Sequence, residues 1–361
     1  MPRMLQPRPF EPRKAILVSL VLLAFFAYTY TRKPPPRQWH WQGQTMGTTY
    51  SVKVIDRDHR INPDTYQDWQ QDLDELLAGL NRQMSTYLAD SEISQFNRWA
   101  SLQPFPVSEA FITVTRAALQ LAEATGGALD PTLDPLIELW GFGSRGPTRE
   151  PSPEAIAAAK ENTGYRQITV EGHALRKSRP DVHINVNAIA KGYGADAVLD
   201  AFVAQGYSNI FVEIGGEVAC QGNNLSGNPW RIGVDIPRPD LPPGEQFAAI
   251  IHLDQGGVAT SGDYRNFFED ASGALRSHIL NPASGMPAQS DLAAVTVVAD
   301  SCMIADGMAT ALFVMGSEQA MAWLDQHEGI EAMLQLHTAE KNQFTIRQTP
   351  GFGRYLSPAT D

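Results

Sequence analysis

The chain is 361 residues long, 43% hydrophobic and 19% charged, with a net charge of −12, a globular composition long enough for one large domain or two ordinary ones. The charge is uneven: residues 1–40 hold seven Lys or Arg and one acid, leaving 21 basic against 39 acidic side chains in the remainder. That acidic excess argues against a nucleic-acid-binding surface, which needs clustered cations to neutralise phosphates.

Four basic residues, Arg3, Arg8, Arg13 and Lys14, precede the uncharged run AILVSLVLLAFFAY. This order fits a positive-inside membrane anchor. The run is shorter than the ~20 residues of a standard spanning helix, and residues 29–31 with snorkelling ends complete it. A cleaved signal peptide is the alternative, but no A-x-A site follows, and no Cys stands there to carry a lipid. The expected organisation is a cytoplasmic basic segment over 1–14, a membrane anchor or signal segment over 15–31, and a proline-rich linker over 32–40. The body, 41–361, then lies on the periplasmic side of the inner membrane. KPPPRQW, at 33–39, is stiff enough to lift that body off the bilayer.

MGTTYSVKVI (46–55) alternates polar and apolar residues and predicts a strand. From Tyr66 to Met84, Trp69, Leu73, Leu76, Leu77, Leu80 and Met84 fall on one helix face. Ser108 caps a second predicted helix that stops at Gly126–Gly127, and SPEAIAAAKENTG has Ser-Pro at its start and Gly at its end. RQITVEGHALRKS reads as a hairpin, and NAIAKGYGADAVLDAFVAQG as a helix ending at Gly206. NIFVEIGGEVACQG, WRIGVDIP, FAAIIHLDQGGVATSG and AAVTVVAD read as strands with Gly-rich turns. Short turns between strands, rather than helical crossovers, predict an α+β fold on a mixed, largely antiparallel sheet, one globular body with two lobes. Cys220 and Cys302 either pair or are two buried thiols.

GFGSRG (141–146) matches G-x-G-x-x-G, but PTREPSP follows it and cannot open a helix, so it is a loop and not a dinucleotide fingerprint. There is no G-x-S-x-G, H-E-x-x-H or P-loop. Two Cys and eight scattered His make a structural zinc site improbable.

Four stretches carry candidate chemistry. GGALDPTLDPLIELWGFG (126–143) is a bent connection with two Asp-Pro turns, and Gly126–Gly127 permit close backbone approach to a ligand. HINVNAIAKGYGAD (183–196) sets an extended segment before a helix, with Lys191 in about its first turn. That start suits a phosphate and equally an ordinary surface lysine behind a capping Asn187. SHILNPASG (277–285) ends a strand in an Asn-Pro turn, where His278 is either a proton acceptor or a structural histidine. VTVVADSCMIADGMATALFVMG predicts a strand, a turn and a helix from about Cys302 to Met315, capped by Asp300 or Ser301 and ended by Gly316. In that helix Asp306 and Thr310 share a face. Their oxygens suit Mg²⁺, which completes its shell with water and phosphates; a helix-dipole Asp beside a backbone-bonded Thr is the plainer reading.

Taken in order, MGTTYSVKV, MSTYLADSEISQFN, GALDPTLDPLIELWGFG, INVNAIAKGYGAD, VEIGGEVACQG, ATSGDYRNF, HILNPASG and ADGMAT resemble the ApbE family of FAD:protein FMN transferases across essentially the whole body. The resemblance implies an exported, often membrane-tethered enzyme with a T-fold-like body. Such an enzyme takes FAD as substrate, uses Mg²⁺, transfers FMN to a threonine hydroxyl of an acceptor redox protein and releases AMP. Carried over by motif, Met46, Tyr87, Ala128, Leu129, Asp130, Asn185, Lys191 and Ile279 would line the FAD site. Asp306, Thr310 and a backbone oxygen of Ala188 would hold the metal, and His278, with Asp306, would serve catalysis. Hydrolysis of FAD to FMN and AMP, or flavin binding without turnover, are the alternatives. Two positions depart from the family pattern. Asn185 and Asn281 stand where Asp is usual, and the first removes a negative charge beside the phosphates.

Overall fold

The structure, a computed structural model, describes residues 19, 20, 23, 34–143, 146, 150–264, 267–269, 275–340 and 342–356. The apolar run at 15–31 lies almost wholly outside them. Among the described residues no helix is long and apolar enough to cross a membrane.

The framework is an eight-stranded sheet built by short turns. Strand β1 (Arg37–Thr45) pairs with β2 (Thr48–Asp56), and β2 with β6 (Ile210–Ile214). Strand β6 turns into β7 (Glu217–Gln221), which pairs with β10 (Gln255–Gly262). Beyond it lie β15 (Leu292–Ala299), β16 (Glu331–His337) and β17 (Phe344–Gln348). Every neighbouring pair is antiparallel, as the turn chemistry predicts. One boundary is corrected: residues 37–40, expected in the linker, are sheet. Trp41 is fully buried in β1 and holds that strand against the body, so the stiff segment ends at the prolines. The β1–β2 turn is the pair Met46–Gly47, both at positive φ (49° and 73°), as a two-residue type I′ hairpin turn requires.

One sheet face carries the long helices. Helix α1 (Pro63–Met84) buries Trp69, Leu73, Leu77, Leu80 and Met84, nearly the predicted face. With α6 (Asn187–Ala204) it packs on Val52, Val54, Ile210 and Val212. Helices α3 (Glu109–Ala124) and α7 (Cys302–Met315) cover Val295, Val297 and Leu334 farther along. The opposite face is closed by the hairpin β8 (Trp230–Asp235) and β9 (Phe247–Leu253) and by Phe352, over Val218, Val258 and Val298. All eight residues of β15 are buried, so this strand is the middle of the molecule. Cys220 packs under the β8–β9 hairpin and Cys302 in the core beneath α1 and α6, on opposite sheet faces; both are free, buried thiols.

The segment read as a bent connection holds a short helix, α4 (Asp134–Leu139), with Pro135 in its first turn, where a missing N–H costs nothing. Helix α4 and helix α5 (Pro153–Lys160) share a satellite core of Leu136, Trp140, Ile156 and Leu280, which makes a smaller lobe beside the sheet. Trp140 Nε1 donates to Gly285 O at 2.9 Å and ties the two chemistry-bearing loops together.

Candidate active site

The site is organised by the crossing of α6 and α7. A Cβ placed on Gly192 would lie 2.4 Å from the Cys302 carbonyl oxygen, and one on Gly257 2.2 Å from Cys302 Cα. Glycine at both positions lets the start of α7 sit directly on α6 and β10. The helix begins with Ser301 as its N-cap. Its free N–H groups also meet a residue that sequence reasoning passed over. Asp196, on α6, accepts from Cys302 N (3.0 Å), Met303 N (2.8 Å) and Ser301 Oγ (2.7 Å). Burial pushes the Asp196 carboxyl up, against the pull of these donors. Gly307 makes room for a different neighbour: a Cβ there would lie 2.5 Å from Leu121 Cδ1 of α3.

Asp306 is 3% exposed and faces α6. Its Oδ2 accepts the Gly192 N–H at 3.0 Å and lies 3.7 Å from Lys191 Nζ. Lys191 stands in the second turn of α6, not in solvent, and its ammonium is also 3.4 Å from Glu217 Oε1. Burial works against the charged lysine, but Asp306 and then Glu217 outweigh it and hold its pKa above the usual range. Burial raises Asp306, with Lys191 and the Gly192 N–H pulling the other way. Burial likewise pushes Glu217 up to about 8 against the pull of Lys191. The cluster is therefore a half-buried cation shared by two buried, reluctant carboxylates.

Thr310 follows Asp306 by one turn, and its Oγ1 lies 3.0 Å from Ser261 Oγ of β10. The two side chains thus point from one helix face towards different neighbours, α6 and β10. Gly192 N–H is the donor that a regular helix directs at Ala188 O. Here that N–H meets the Asp306 carboxylate at 3.0 Å. Met46 reaches the same helix, within 3.1 Å of where a Gly194 Cβ would be. A methionine at φ 49° is an uncommon backbone state that marks a constrained position.

Asn185 lies just before α6. Its Nδ2 donates to Asp134 Oδ1 at 3.1 Å, its Oδ1 accepts from Asn187 N at 3.0 Å, and its own N–H donates to Pro131 O at 2.7 Å. Both ends of the amide are fixed by partners of opposite character, so Asn187 does not cap this helix and Asn185 braces its start instead. His183 Nδ1 lies 3.5 Å from the other Asp134 oxygen. Asp at position 185 would face the buried Asp134 carboxylate. We expect Asn185→Asp to lower stability by about 1.5–3 kcal/mol at pH 8. The new acid's folded pKa is raised by the neighbouring carboxylate, so the penalty grows as pH rises through neutrality and shrinks towards pH 5. Melting temperatures of metal-free protein at both pH values check this; equal losses at both would refute it.

Asp130 is turned inward to its own loop, accepting from Thr132 N and Oγ1 and from Tyr165 N. It shapes the loop, while Leu129 and Ala128 pack into the main core. Tyr87 is 62% exposed, and its hydroxyl lies 3.4 Å from Phe142 O. The Phe142 ring meets His278 edge-on at 6.4 Å. Ile279 is buried beside His278, in the same core as Ile189 of α6. The contacts therefore gather the candidates into three neighbourhoods. Lys191 and Asp306 meet with Glu217; Asn185 meets the loop at 130–134; Tyr87, Phe142 and His278 form a rim. Helix α6 joins the first to the second, and α4, running from Asp134 towards Phe142, joins the second to the third.

Residues 46–334 match the model of the ApbE family. The chain belongs to the ApbE family. A FAD:protein FMN transferase of Vibrio cholerae is 43% identical over 346 residues, covering 94% of this chain and 95% of the relative. The enzyme of that name from Escherichia coli K12 is 33% identical, covering 94% and 97%. Among solved structures, the ApbE flavin transferase from V. cholerae superposes with a TM-score of 0.80 at 39% identity, over 89% of this chain and all of that one. The apo ApbE flavinyl transferase of Pseudomonas stutzeri gives 0.80 at 35% identity, over 91% and all.

A Mg²⁺ ion, if bound at this crossing, would meet hard oxygen donors. Among the described residues no group of three or more His, Cys, Asp or Glu gathers as a metal cage. One carboxylate (Asp306), one hydroxyl (Thr310) and one main-chain carbonyl (Ala188) are all hard oxygens, and few enough to leave room for water and phosphate, as Mg²⁺ prefers. Asp306, buried beside a lysine, is a carboxylate for which a cation is the natural partner.

Proposed function

We propose that this protein transfers the FMN half of FAD to a threonine hydroxyl of an acceptor redox protein and releases AMP. Mg²⁺ would be held by Asp306, Thr310 and the Ala188 carbonyl oxygen. The observation that carries the reading is Lys191 poised over Asp306 at the crossing of α6 and α7. Transfer of FMN from FAD needs a cationic, oxygen-lined seat for a pyrophosphate, and the charges gathered at this crossing support placing it there.

In the reaction the threonine oxygen forms a bond to the FMN phosphorus while the bond from that phosphorus to the bridging oxygen breaks. AMP leaves with the bridging oxygen, and the threonine proton goes to a base. Bound Mg²⁺ would neutralise the phosphates and the charge developing on the leaving group. Lys191 binds the pyrophosphate as a point charge. Asn185 and the loop at 128–134 brace the start of α6 so that its turn stays in place. Tyr87 and Met46 offer a ring and a polarisable thioether to the flavin or adenine faces. His278, at the rim, takes the threonine proton. The acidic body, the basic residues 3–14 and the apolar run at 15–31 support a protein tethered to the inner membrane with its body in the periplasm.

Incubating the protein with FAD, Mg²⁺ and a flavoprotein subunit from the same cell tests this by mass spectrometry. We expect the acceptor to gain one FMN less one water, on threonine, with one AMP released. Free FMN without an adduct would instead indicate hydrolysis, and unchanged bound FAD a carrier.

A further inference from the structure

Glu217 is 5% exposed and opens β7 immediately after Gly215–Gly216, both at positive φ (60° and 101°). This two-residue turn pairs Glu217 with Ile214 and fixes its register. Alternation then decides which way it faces. Val218 packs on the far side of the sheet and Ala219 on the near side, so Glu217 points with Ala219 towards α6. An acid aimed into a packed interior is costly unless it has a task. One oxygen is spent on Lys191 at 3.4 Å, and Oε2 is buried with no hydrogen-bond partner among the described residues.

Lys191 Nζ therefore hangs between two carboxylates, 3.4 Å from Glu217 and 3.7 Å from Asp306. Both distances are within ion-pair range, and neither is a short hydrogen bond. If Asp306 were its lone partner, nothing would stop the ammonium from closing on that carboxylate and occupying the position a divalent cation needs. We propose that Glu217 is a positioning residue that tethers Lys191 away from Asp306, keeping the carboxylate available to Mg²⁺ and the ammonium available to the FAD phosphates. The inference rests on the reading of Asp306 as a metal ligand. It assigns Glu217 no contact with metal or substrate; its effect passes through Lys191.

Mn²⁺, a hard cation with the same oxygen preference, is the probe. Its binding to the full protein in the presence of FAD is followed by loss of the free-ion paramagnetic resonance signal, with the melting temperature of each variant as a folding control. Glu217→Leu removes the tether, and Glu217→Asp shortens it by one methylene. Both are expected to weaken Mn²⁺ binding tenfold or more, because the lysine then competes for Asp306. Glu217→Gln keeps an acceptor of the same length and is expected to stay within threefold of the parent. Should Glu217→Leu fail to fold, the Asp and Gln variants decide the matter alone. Parent-like Mn²⁺ binding by Glu217→Asp overturns the proposal. So does a Gln variant as weak as the Asp variant, which would make Glu217 a charge or ligand for the metal itself. Asp306→Ala separates the two layers: if it binds Mn²⁺ as tightly as the parent, the metal reading beneath the proposal is what fails.

Discussion

Replacing Asp306 by alanine is expected to lower FMN transfer by about 10²–10³-fold, since even outer partners of metal ligands commonly cost 10–100-fold. The argument is geometric before it is chemical. Asp306 is the carboxylate at the crossing of α6 and α7 that meets both a main-chain donor, Gly192 N–H, and the ammonium of Lys191. Its loss removes the one anionic donor of the proposed metal seat and leaves the Gly192 N–H and Lys191 without their partner. Asp306→Asn keeps the shape and a carbonyl oxygen for Gly192 but not the charge. A comparable loss with Asn would assign the effect to charge; recovery with Asn would assign it to packing. Single-turnover release of AMP from FAD in saturating acceptor is the measurement. A variant within tenfold of the parent would remove Asp306 from the mechanism.

The second large effect concerns stability. Lys191→Met is expected to cost about 3–5 kcal/mol in metal-free protein at neutral pH, because it strands two buried carboxylates without their cation. The pH dependence has a definite sign. Burial already raises both acids, Glu217 to about 8, and losing Lys191 raises them further. The folded state therefore holds protons that the unfolded chain releases from about pH 4.5 upward. Stability must fall as pH rises from there through the folded pKa values, and more steeply in Lys191→Met than in the parent. Chemical denaturation in chelator at pH 5 and pH 8 reads this directly. The variant should approach the parent at pH 5 and diverge at pH 8. A pH-independent loss would mean that packing of the lysine stem, rather than charge, was the missing contribution.

The contrast between these residues shows what a sequence carries. Helix α7 was legible to its ends, since Ser301, the apolar periodicity and Gly316 are all local signals. The shared face of Asp306 and Thr310 follows from helical geometry alone. Met46–Gly47, read as the start of a strand, is the β1–β2 turn, whereas Gly215–Gly216 was legible as a turn for the same reason. Partners distant in the chain were not. Asp196 reaches a helix that starts more than a hundred residues later, Ser261 meets Thr310 from another strand, and Asp134 is joined to Asn185 by folding alone. Glu217 lay inside a recognised stretch, VEIGGEVACQG, yet it could be given a direction only once the Gly-Gly turn had set its register. The first strand was hidden for a different reason. The prolines at 34–36 and the polar Arg37 and Gln38 masked the alternation that Trp39 and Trp41 continue. Asn185 was read as a missing charge; the amide instead supplies an N–H to a carboxylate that an Asp would repel.

The central proposal is that Asp306 and Thr310 would hold a divalent cation that neutralises the phosphates of FAD. Anomalous diffraction from crystals grown with FAD and Mn²⁺ tests it most directly. The account predicts one strong peak about 2.1 Å from both side-chain oxygens, with the Lys191 ammonium moved onto a phosphate. A peak elsewhere, or FAD bound with Lys191 still closed between Asp306 and Glu217, would contradict it.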